Sequence, residues 1–360
     1  MNHETLFEDL KVVELASVLA GPAVGMFFAE LGAKVIKVEN KTTGGDVTRK
    51  WKLPKEDPHD PYSAYYHSIN WGKETMLVDL NDSRDFKKVE QVIQDADIVI
   101  SNLKSDSALR LKLDYASVRA MNEEIIYGSI SAYGHDDNTP GFDAMMQAET
   151  GWISMTGHPD GPPVKLPVAL IDLLAGHQLK QGVLTALIKK LKSGKGSHVT
   201  VSLYDASIAA LANQASNWLN VQHLPRPMGT QHPNIAPYGD TFVTKDLRRI
   251  ILGVGTDGQF EGLCKIINRI DLIADNRFTS NTARVQNRKD LVDILSQSIE
   301  KFELAKFQEL CKKYKVTMAP INDLESLFQS PKAKELILTS KTEASKEVYC
   351  VQTSVFKFVE

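Results

Sequence analysis

One acidic residue, Asp172, carries the strongest chemical signal in the chain, within residues 170–176 (LIDLLAG). A free aspartate has a pKa of about 3.9, so its carboxylate is ionised at neutral pH and can attack a carbonyl carbon without a general base. Taken locally, the residue also suits the N-cap of the helix predicted to follow from Leu173, because aspartate is a preferred cap. The two roles are compatible, since the start of a helix stabilises negative charge.

Several short motifs accompany Asp172, and the set is more specific than any one of them. They are Ala20-Gly21-Pro22, residues 31–39 (LGAKVIKVE), Gly141-Phe142-Asp143, residues 147–151 (QAETG), residues 157–163 (GHPDGPP), residues 182–187 (GVLTAL) and residues 193–196 (SGKG). Together with Asp172, they resemble the family III CoA-transferases, the group that contains formyl-CoA transferase and carnitine CoA-transferase. The resemblance covers about residues 6 to 330.

The resemblance implies that Asp172 is the nucleophile of an enzyme that moves CoA between carboxylic acids. Its carboxylate would attack an acyl-CoA thioester to give a mixed anhydride, and the released CoA thiolate would then attack the aspartyl carbonyl to give an aspartyl-CoA thioester. Asp143 matches an acidic position that helps to arrange this site, although a buried capping carboxylate is its plainer role. Acyl-CoA and a carboxylic acid are then the substrates, and no permanently bound cofactor or metal is implied.

The same resemblance places coenzyme A beside residues 17–22, a turn between a predicted strand and a predicted helix. Ligands favour this position in open α/β sheets, and a helix start presents free N–H groups. The residues implied to line CoA are Val18, Leu19, Ala20, Asn40, Lys41, Val78, Asn81, Asn102, Leu103, Arg110 and Leu203. For each aliphatic residue taken singly, core packing is the plainer role. Asn40 and Asn81 stand where formyl-CoA transferase has basic residues, which leaves Lys41 and Arg110 to serve the phosphates.

A racemase is the nearest alternative within the same superfamily. The α-methylacyl-CoA racemases pair the aspartate with a histidine in a Gly-His-Asp motif thirty residues upstream, where this chain has Phe142. Phenylalanine cannot move protons, and His135 lies seven residues out of register in a predicted loop. Residues 229–233 (GTQHP) hold one glycine where formyl-CoA transferase has a glycine run, so formyl or oxalyl specificity is not supported.

Two further alternatives are a silent CoA-ester binder and a dinucleotide-binding protein. The chain ends at Glu360, where relatives continue with a further stretch, but the intact Asp172 region favours an active enzyme. Residues 253–258 (GVGTDG) satisfy G-x-G-x-x-G after a predicted strand. The second strand that should end in an acidic residue about 20 residues later is missing, so we do not expect nucleotide binding there.

The elements that must position these residues follow from the periodicity of the apolar side chains. Lys11–Ala16 and Lys34–Glu39 are predicted strands that flank a helix over Pro22–Leu31. Gly32 is expected to end that helix in the left-handed conformation. The alternation continues with strands near residues 75–80, 97–101, 125–131 and 198–203, a helix capped by Asp82 or Ser83, and a long helix over 173–191. This predicts the α/β class, with a Rossmann-like parallel sheet.

Three segments are predicted: residues 1–223 as the large CoA-binding domain, 224–330 as a smaller α+β domain, and 331–360 as a segment that returns toward the large domain. A proline-rich connector at residues 224–227 (LPRP) sets the first boundary. The smaller domain contains a predicted strand at 249–252 and one apolar helical face at residues 291–302. By resemblance, two chains are expected to form an interlocked homodimer.

Composition narrows the setting of the protein. The chain has 360 residues, of which 42% are hydrophobic, and a formal charge of −3, so neither nucleic acid nor a membrane surface is an expected partner. Cys264, Cys311 and Cys350 lie far apart, which argues against a disulfide framework or a zinc site. The polar start of the chain and the lack of a long apolar run complete the prediction of a cytoplasmic protein.

Overall fold

The computed structural model describes residues 5–342 and 345–359, so the first four residues of the polar N-terminus lie outside it. The described residues form two compact units. The first unit contains the residues up to Trp152, together with Lys165–Leu224 and the residues from Glu335 onward. The second contains Ile153–Val164 and Pro225–Lys334. The chain therefore passes between the units four times, because Ile153–Val164 belongs to the second unit and the residues from Glu335 onward belong to the first. The domains predicted from the sequence follow one another along the chain.

The first unit is built on a sheet of six parallel strands. The strands are β1 (Lys11–Leu15), β2 (Lys34–Asn40), β3 (Lys73–Val78), β4 (Ile98–Ser101), β5 (Ile126–Ser131) and β6 (Ser197–Ser202). Their order is β3-β2-β1-β4-β5-β6, which reverses direction between β1 and β4. This is the doubly wound arrangement, and it confirms the predicted Rossmann-like sheet. Ligands in such sheets bind where the order reverses, at the carboxyl ends of the strands.

Helices cover both faces of this sheet. The helices of the first unit are α1 (Ala20–Glu30), α2 (Ala64–His67), α3 (Ser83–Gln94), α4 (Ser105–Arg110), α5 (Tyr115–Met121), α6 (Asp143–Glu149), α8 (Leu170–Ser193), α9 (Leu203–Ala209) and α10 (Ala212–Val221), while α7 (Trp152–Met155) starts at Trp152 and otherwise belongs to the second unit. One core includes α1 and α8 and contains Phe28 and Leu179. The core on the other face contains Val89 of α3 and Val118 of α5. As predicted, Asp82 caps α3 through the N–H groups of residues 84 and 85.

The second unit is a smaller α+β body. Its strands β7 (Tyr238–Val243), β8 (Arg249–Gly253) and β9 (Met318–Pro320) pair antiparallel. Its helices are α11 (Asp257–Ile266), α12 (Asp271–Ala274), α13 (Asn281–Gln286), α14 (Arg288–Ile299), α15 (Leu304–Lys313), α16 (Leu324–Gln329) and α17 (Pro331–Lys334). Residues 253–258 connect β8 to α11, but an antiparallel sheet cannot supply the parallel strands of a dinucleotide site. This agrees with the prediction that the glycine pattern binds no nucleotide.

After the second unit the chain rejoins the first unit as a hairpin of β10 (Ile337–Lys341) and β11 (Glu347–Val351). Leu338 and Cys350 pack against a cluster that contains Leu19 and Ala23 of the α1 region. Glu30, at the other end of α1, accepts the backbone N–H groups of Thr353 and Ser354. The last residues therefore pack along α1. None of the described helices has the length and apolar character needed to cross a membrane.

A buried group of charges lies between β1, β2 and the segment that follows β2. Lys37 is 0% exposed, and its Nζ lies 2.8 Å from Glu14 Oε1 and 3.0 Å from Asp46 Oδ2. It also donates a 2.8 Å hydrogen bond to the carbonyl oxygen of Ala16, directly after β1. Burial by itself lowers the pKa of a lysine, but the charges of Glu14 and Asp46 outweigh it, so the pKa of Lys37 is raised. Lys37 is therefore held charged inside the protein.

Replacing Lys37 with methionine should lower the free energy of unfolding by about 3–5 kcal/mol, because Glu14 and Asp46 lose a buried countercharge. Lys34 lies on the same strand, and its exposed pair with Glu74 spans 3.4 Å. Lys34→Met should therefore change the free energy by less than about 1 kcal/mol. Urea unfolding of the two variants measures both values. Equal losses would contradict the assignment of the buried group as a structural anchor.

Candidate active site

Asp172 lies on the third residue of α8 and is 8% exposed. The predicted role as an N-cap is therefore wrong, because α8 begins at Leu170 and Ala169 holds the cap position without a side-chain hydrogen bond. Asp172 nonetheless lies in the first turn, where unpaired backbone N–H groups favour negative charge. Within the described residues, no group donates a hydrogen bond to its carboxylate.

Asp143 explains why α8 begins one turn earlier than predicted. This buried residue starts α6, and its Oδ1 accepts the backbone N–H of Ile171 at 2.7 Å. The bond satisfies a donor in the first turn of α8 that a local cap would otherwise take. Its Oδ2 accepts Nε2 of Gln147 at 2.6 Å, and Gln147 accepts the N–H of Leu166 at 2.8 Å. Asp143 is thus a capping carboxylate that fixes the backbone at Ile171 and, through Gln147, at Leu166, just before Asp172.

The environment of Asp172 changes its acidity. Burial raises the pKa of Asp172, and the nearby negative charge of Asp143 raises it further, to about 7. The expectation of a freely ionised carboxylate with an ordinary pKa is therefore wrong. Protonation of Asp172 is therefore favoured relative to an ordinary aspartate, and its ionised form is a stronger nucleophile, because its affinity for a proton is higher.

The turn after β1 is held by the side chains of Asn102 and Asp46. The Asn102 side chain accepts the N–H of Ser17 at 3.0 Å and donates to its carbonyl oxygen at 2.8 Å. Asp46 accepts the N–H of Val18 at 3.2 Å. Val18 itself has a φ of 71°, in the left-handed region, which costs a non-glycine residue about 1–2 kcal/mol. The hydrogen bonds therefore hold the turn in a strained conformation.

The start of α1 follows this turn and lies close to α8. A Cβ atom added to Gly176 would lie 3.0 Å from the carbonyl oxygen of Ala20, so a larger residue would require the two helices to move apart by a few tenths of an ångström. Gly176 is one turn after Asp172 on α8, which brings the beginnings of the two helices together. The backbone N–H groups of Leu19 and Ala20 have no hydrogen-bond acceptor within the described part of the chain.

A cleft of about 420 Å³ opens above Asp172, at the carboxyl ends of β1, β4, β5 and β6 in the first unit. We call it the Asp172 cleft. It is lined by the nucleophile candidate and by six of the residues predicted to contact CoA, namely Val18, Leu19, Ala20, Asn102, Leu103 and Leu203. Asp143 does not line it, which fits its position behind the helix start. The structure thus brings together residues that are 185 positions apart at the extreme, from Val18 to Leu203.

A second cleft of about 580 Å³ lies beyond β1 and β2, also within the first unit. We call it the Lys50 cleft. Three of the residues predicted to contact CoA line it, namely Asn40, Asn102 and Leu103. The two clefts share Ser17, Asn102, Leu103 and Lys104, so they meet at the point where the strand order reverses. An elongated ligand can therefore extend from one cleft into the other.

Four of the residues predicted to line CoA lie outside both clefts. Val78 is fully buried in the core on the α3 face, so its side chain cannot reach a ligand. Asn81 donates to Asp79 in the loop after β3. Lys41 and Arg110 are exposed and line neither cleft. The resemblance gave the positions of these residues, and the backbone geometry directs their side chains elsewhere.

Two lysines to which the sequence analysis assigned no role line the clefts. Lys104 lines both clefts, and Lys50 lines the second. A signal for Lys104 was present, because it directly follows Asn102 and Leu103 at the end of β4. Lys50 belongs to a short 3₁₀ turn, and its Nζ donates to the carbonyl oxygen of Thr43 at 2.8 Å. These two cations are the available partners for phosphate in the clefts.

Tyr65 and His135 also surround the site. Burial raises the pKa of Tyr65 to about 12, and the charges of Asp172, Asp143 and Asp46 contribute, so its hydroxyl stays protonated near the carboxylate. No local sequence pattern marks this tyrosine. His135 lies in the loop after β5, as predicted, and lines the Asp172 cleft, with its ring centroid 4.7 Å from that of His198.

Comparison with known proteins supplies an independent view of the chain. The profile of CoA-transferase family III matches residues 7–360. A succinate–glutarate CoA-transferase of Agrobacterium fabrum is 37% identical over 95% of this chain and 86% of its own length. A succinyl-CoA:glutarate CoA-transferase of Homo sapiens is 34% identical over 92% of this chain and 75% of its own. The crystal structure of a CAIB/BAIF family protein from Brucella suis has a TM-score of 0.84 and 35% identity, over 98% of this chain and 93% of that chain.

Activity that depends on ionised Asp172 should rise with pH through about 7 and be lost as the pH falls below it. In Asp143→Asn the charge that raises this pKa is gone, while the amide oxygen can still accept the Ile171 N–H. The acidic limb of the pH–rate profile should therefore move down by roughly 1 pH unit. Initial rates across the profile measure the shift. Asp106→Asn, at an exposed position outside both clefts, is the control. An unchanged acidic limb in Asp143→Asn would contradict the coupling.

Proposed function

The chain belongs to CoA-transferase family III, and on this premise we propose that Asp172 carries out CoA transfer as a covalent nucleophile. The family assignment confirms the resemblance drawn from the motifs around this residue. It makes the protein an acyl-CoA:carboxylate CoA-transferase, the activity for which its relatives are named. The covalent route through Asp172 is our proposal for how this chain performs it.

The proposed reaction needs no net proton transfer. Ionised Asp172 attacks the thioester carbonyl of the donor, and the C–S bond breaks to give an aspartyl-acyl anhydride and CoA thiolate. The thiolate attacks the aspartyl carbonyl and releases the donor acid, which leaves an aspartyl-CoA thioester. The acceptor carboxylate then attacks this thioester, and the thiolate returns to the acceptor carbonyl. Asp172 and the acceptor's CoA ester are the products.

The observation that carries the proposal is the state of the Asp172 carboxylate. It is nine-tenths buried, has no hydrogen-bond partner among the described residues, and lines a cleft at the carboxyl edge of a parallel sheet. A buried carboxylate without a partner is costly and needs a reason, which nucleophilic attack provides. Burial also limits the access of water to anhydride and thioester intermediates that would otherwise hydrolyse.

The start of α1 is the proposed oxyanion site. Leu19 and Ala20 line the same cleft as Asp172, and their N–H groups have no acceptor among the described residues. Each tetrahedral intermediate places negative charge on a former carbonyl oxygen, and preorganised N–H donors stabilise such charge. The positive end of the α1 helix acts in the same direction. We assign these two groups to the oxygen of the reacting carbonyl.

The clefts give a course for coenzyme A. We propose that its thiol end reaches Asp172 past Ser17 and Asn102, while its phosphates lie toward Lys104 and Lys50, where the clefts meet. Lysine ammonium groups bind phosphate as point charges. Lys41 and Arg110, which the sequence favoured for this task, line neither cleft. The names of the relatives suggest succinate and glutarate as acids, so we propose short dicarboxylates as the exchanged substrates.

Assembly and cell compartment are further proposals. Helix α10 buries none of its residues and exposes Trp218, Leu219 and Val221, which gives a second copy of the chain an apolar face to cover. Together with the family resemblance, this supports a homodimer of interlocked chains. The three cysteines are free thiols, a state typical of a reducing compartment, which supports the cytoplasm.

Incubation with succinyl-CoA should add mass to the intact protein, and treatment with hydroxylamine or borohydride should fix a modified Asp172 that peptide mass spectrometry can locate. The reason is that both proposed intermediates are activated esters of this carboxylate. Asp172→Asn should remain unmodified and lose transfer activity by at least about 10⁴-fold.

Other outcomes separate the alternatives. Exchange of the substrate α-proton into deuterated water, without any adduct, would favour the racemase reaction and direct attention to His135. Binding of CoA esters with neither adduct nor exchange would leave a silent binder. An adduct on another residue would contradict the assignment of Asp172.

A further inference from the structure

Val18 has an unusual backbone for its residue type. Among the described non-glycine residues with positive φ it is the one with a branched β-carbon, and such residues adopt the left-handed region least readily. It stands directly before Leu19 and Ala20, whose N–H groups open the start of α1. The φ of 71° at Val18 therefore sets the course of the backbone into Leu19 and Ala20, two residues that line the Asp172 cleft.

The contact that holds Val18 in this conformation comes from Asp46, a buried residue outside the Asp172 cleft. Its Oδ2 accepts the Val18 N–H at 3.2 Å, and its Oδ1 accepts the N–H and the hydroxyl of Thr48 at 3.0 and 2.8 Å. Glu39 in turn accepts the backbone N–H of Asp46 at 2.7 Å. The hydrogen bonds with Thr48 and Glu39 therefore fix the position of the Asp46 carboxylate that accepts the Val18 N–H.

Lys37 joins this carboxylate to the sheet. Its Nζ contacts Asp46 Oδ2, Glu14 Oε1 and the carbonyl oxygen of Ala16. Successive residues of the turn, 16, 17 and 18, are thus bound by Lys37, Asn102 and Asp46 respectively. Burial acts to raise the pKa of Asp46, but Lys37 and Thr48 outweigh it and lower the pKa, so the acceptor stays ionised.

We propose that Asp46 is a positioning residue for CoA transfer, which holds Val18 in the left-handed conformation and so directs the Leu19 and Ala20 N–H groups at the carbonyl that reacts with Asp172. This inference rests on the proposed function of Asp172. It gives the buried charges of Glu14, Lys37 and Asp46 a part in the rate of the reaction as well as in stability. Asp46 lines the Lys50 cleft, but its carboxylate is engaged by Val18, Thr48 and Lys37, so in this account it acts through the backbone of Val18.

The test compares Asp46→Ala with Val18→Gly and with the double variant. Asp46→Ala should lower kcat by about 10–100-fold, because small errors in the placement of groups at the reacting centre cost rate. The KM for succinyl-CoA should not rise by more than about 3-fold, since Asp46 adds a negative charge to the Lys50 cleft and its removal does not weaken phosphate binding there. Glycine adopts a positive φ readily, so Val18→Gly added to Asp46→Ala should restore most of the lost kcat.

Glu30→Ala is the matched control. Glu30 is also a buried carboxylate that accepts backbone N–H groups, but these belong to Thr353 and Ser354 at the far end of α1. It should lose comparable thermal stability while keeping kcat within about 3-fold of the unmodified protein, because it does not hold the turn. All rates are normalised to the folded fraction, measured by circular dichroism at the assay temperature.

The outcomes separate the two proposals. If Asp46→Ala and Glu30→Ala lose kcat to the same extent, or if Val18→Gly fails to restore kcat to Asp46→Ala, the positioning role is overturned. The rate at which the Asp172 adduct forms in a single turnover is measured alongside kcat. An adduct that forms at an unchanged rate in Asp46→Ala overturns the positioning role alone. Absence of any adduct in the unmodified protein overturns the proposed function instead.

Discussion

A carboxylate kept in the interior without a hydrogen-bond partner is the constraint on which this site depends. Asp172 satisfies neither of the usual conditions for burial, a hydrogen bond or a countercharge, and its raised pKa measures the resulting cost. The first turn of α8 offsets part of that cost through its field. Asp143 accepts the hydrogen bond of the Ile171 N–H, a donor in the first turn of α8. The Asp172 carboxylate is therefore left without this hydrogen bond and is available to a substrate. Stability is given up here at a position where chemistry needs a reactive group.

The remainder of the first unit places a cleft and the start of α1 next to the Asp172 carboxylate. Reversal of the strand order between β1 and β4 opens the sheet at its carboxyl edge, and the turn after β1 lies at this opening. Gly176 allows α1 to approach α8, and Leu19 and Ala20 at the start of α1 line one cleft with Asp172 on α8. The buried charges of Lys37 and Asp46 bind the backbone of the turn after β1 at Ala16 and Val18. Sheet topology, helix packing and electrostatics therefore converge on the same few atoms.

Sequence reasoning recovered the parts of this arrangement that local pattern and strand order determine. Apolar periodicity gave the parallel sheet, Asp82 was placed at the start of α3, and Gly32 ends α1 with a φ of 96°. The raised pKa of Asp172 could not be predicted from the sequence, because it comes from burial and from the charge of Asp143, which lies 29 residues away in the chain. Val78 is buried in a core and Arg110 lines neither cleft, so their contact with CoA remains a prediction from the resemblance. A resemblance fixes a position in the alignment, while the direction of a side chain depends on the backbone around it.

The most direct test of the account follows the oxygen atoms of Asp172. In the proposed reaction the acceptor acid leaves one of its carboxylate oxygens on Asp172 in every complete cycle, because the anhydride between them breaks at the acceptor carbonyl. Turnover of succinyl-CoA with glutarate labelled with oxygen-18 in its carboxylates should therefore place the label in the Asp172 side chain, which mass spectrometry of the peptide that contains it would detect. Turnover that leaves Asp172 unlabelled would contradict the covalent mechanism.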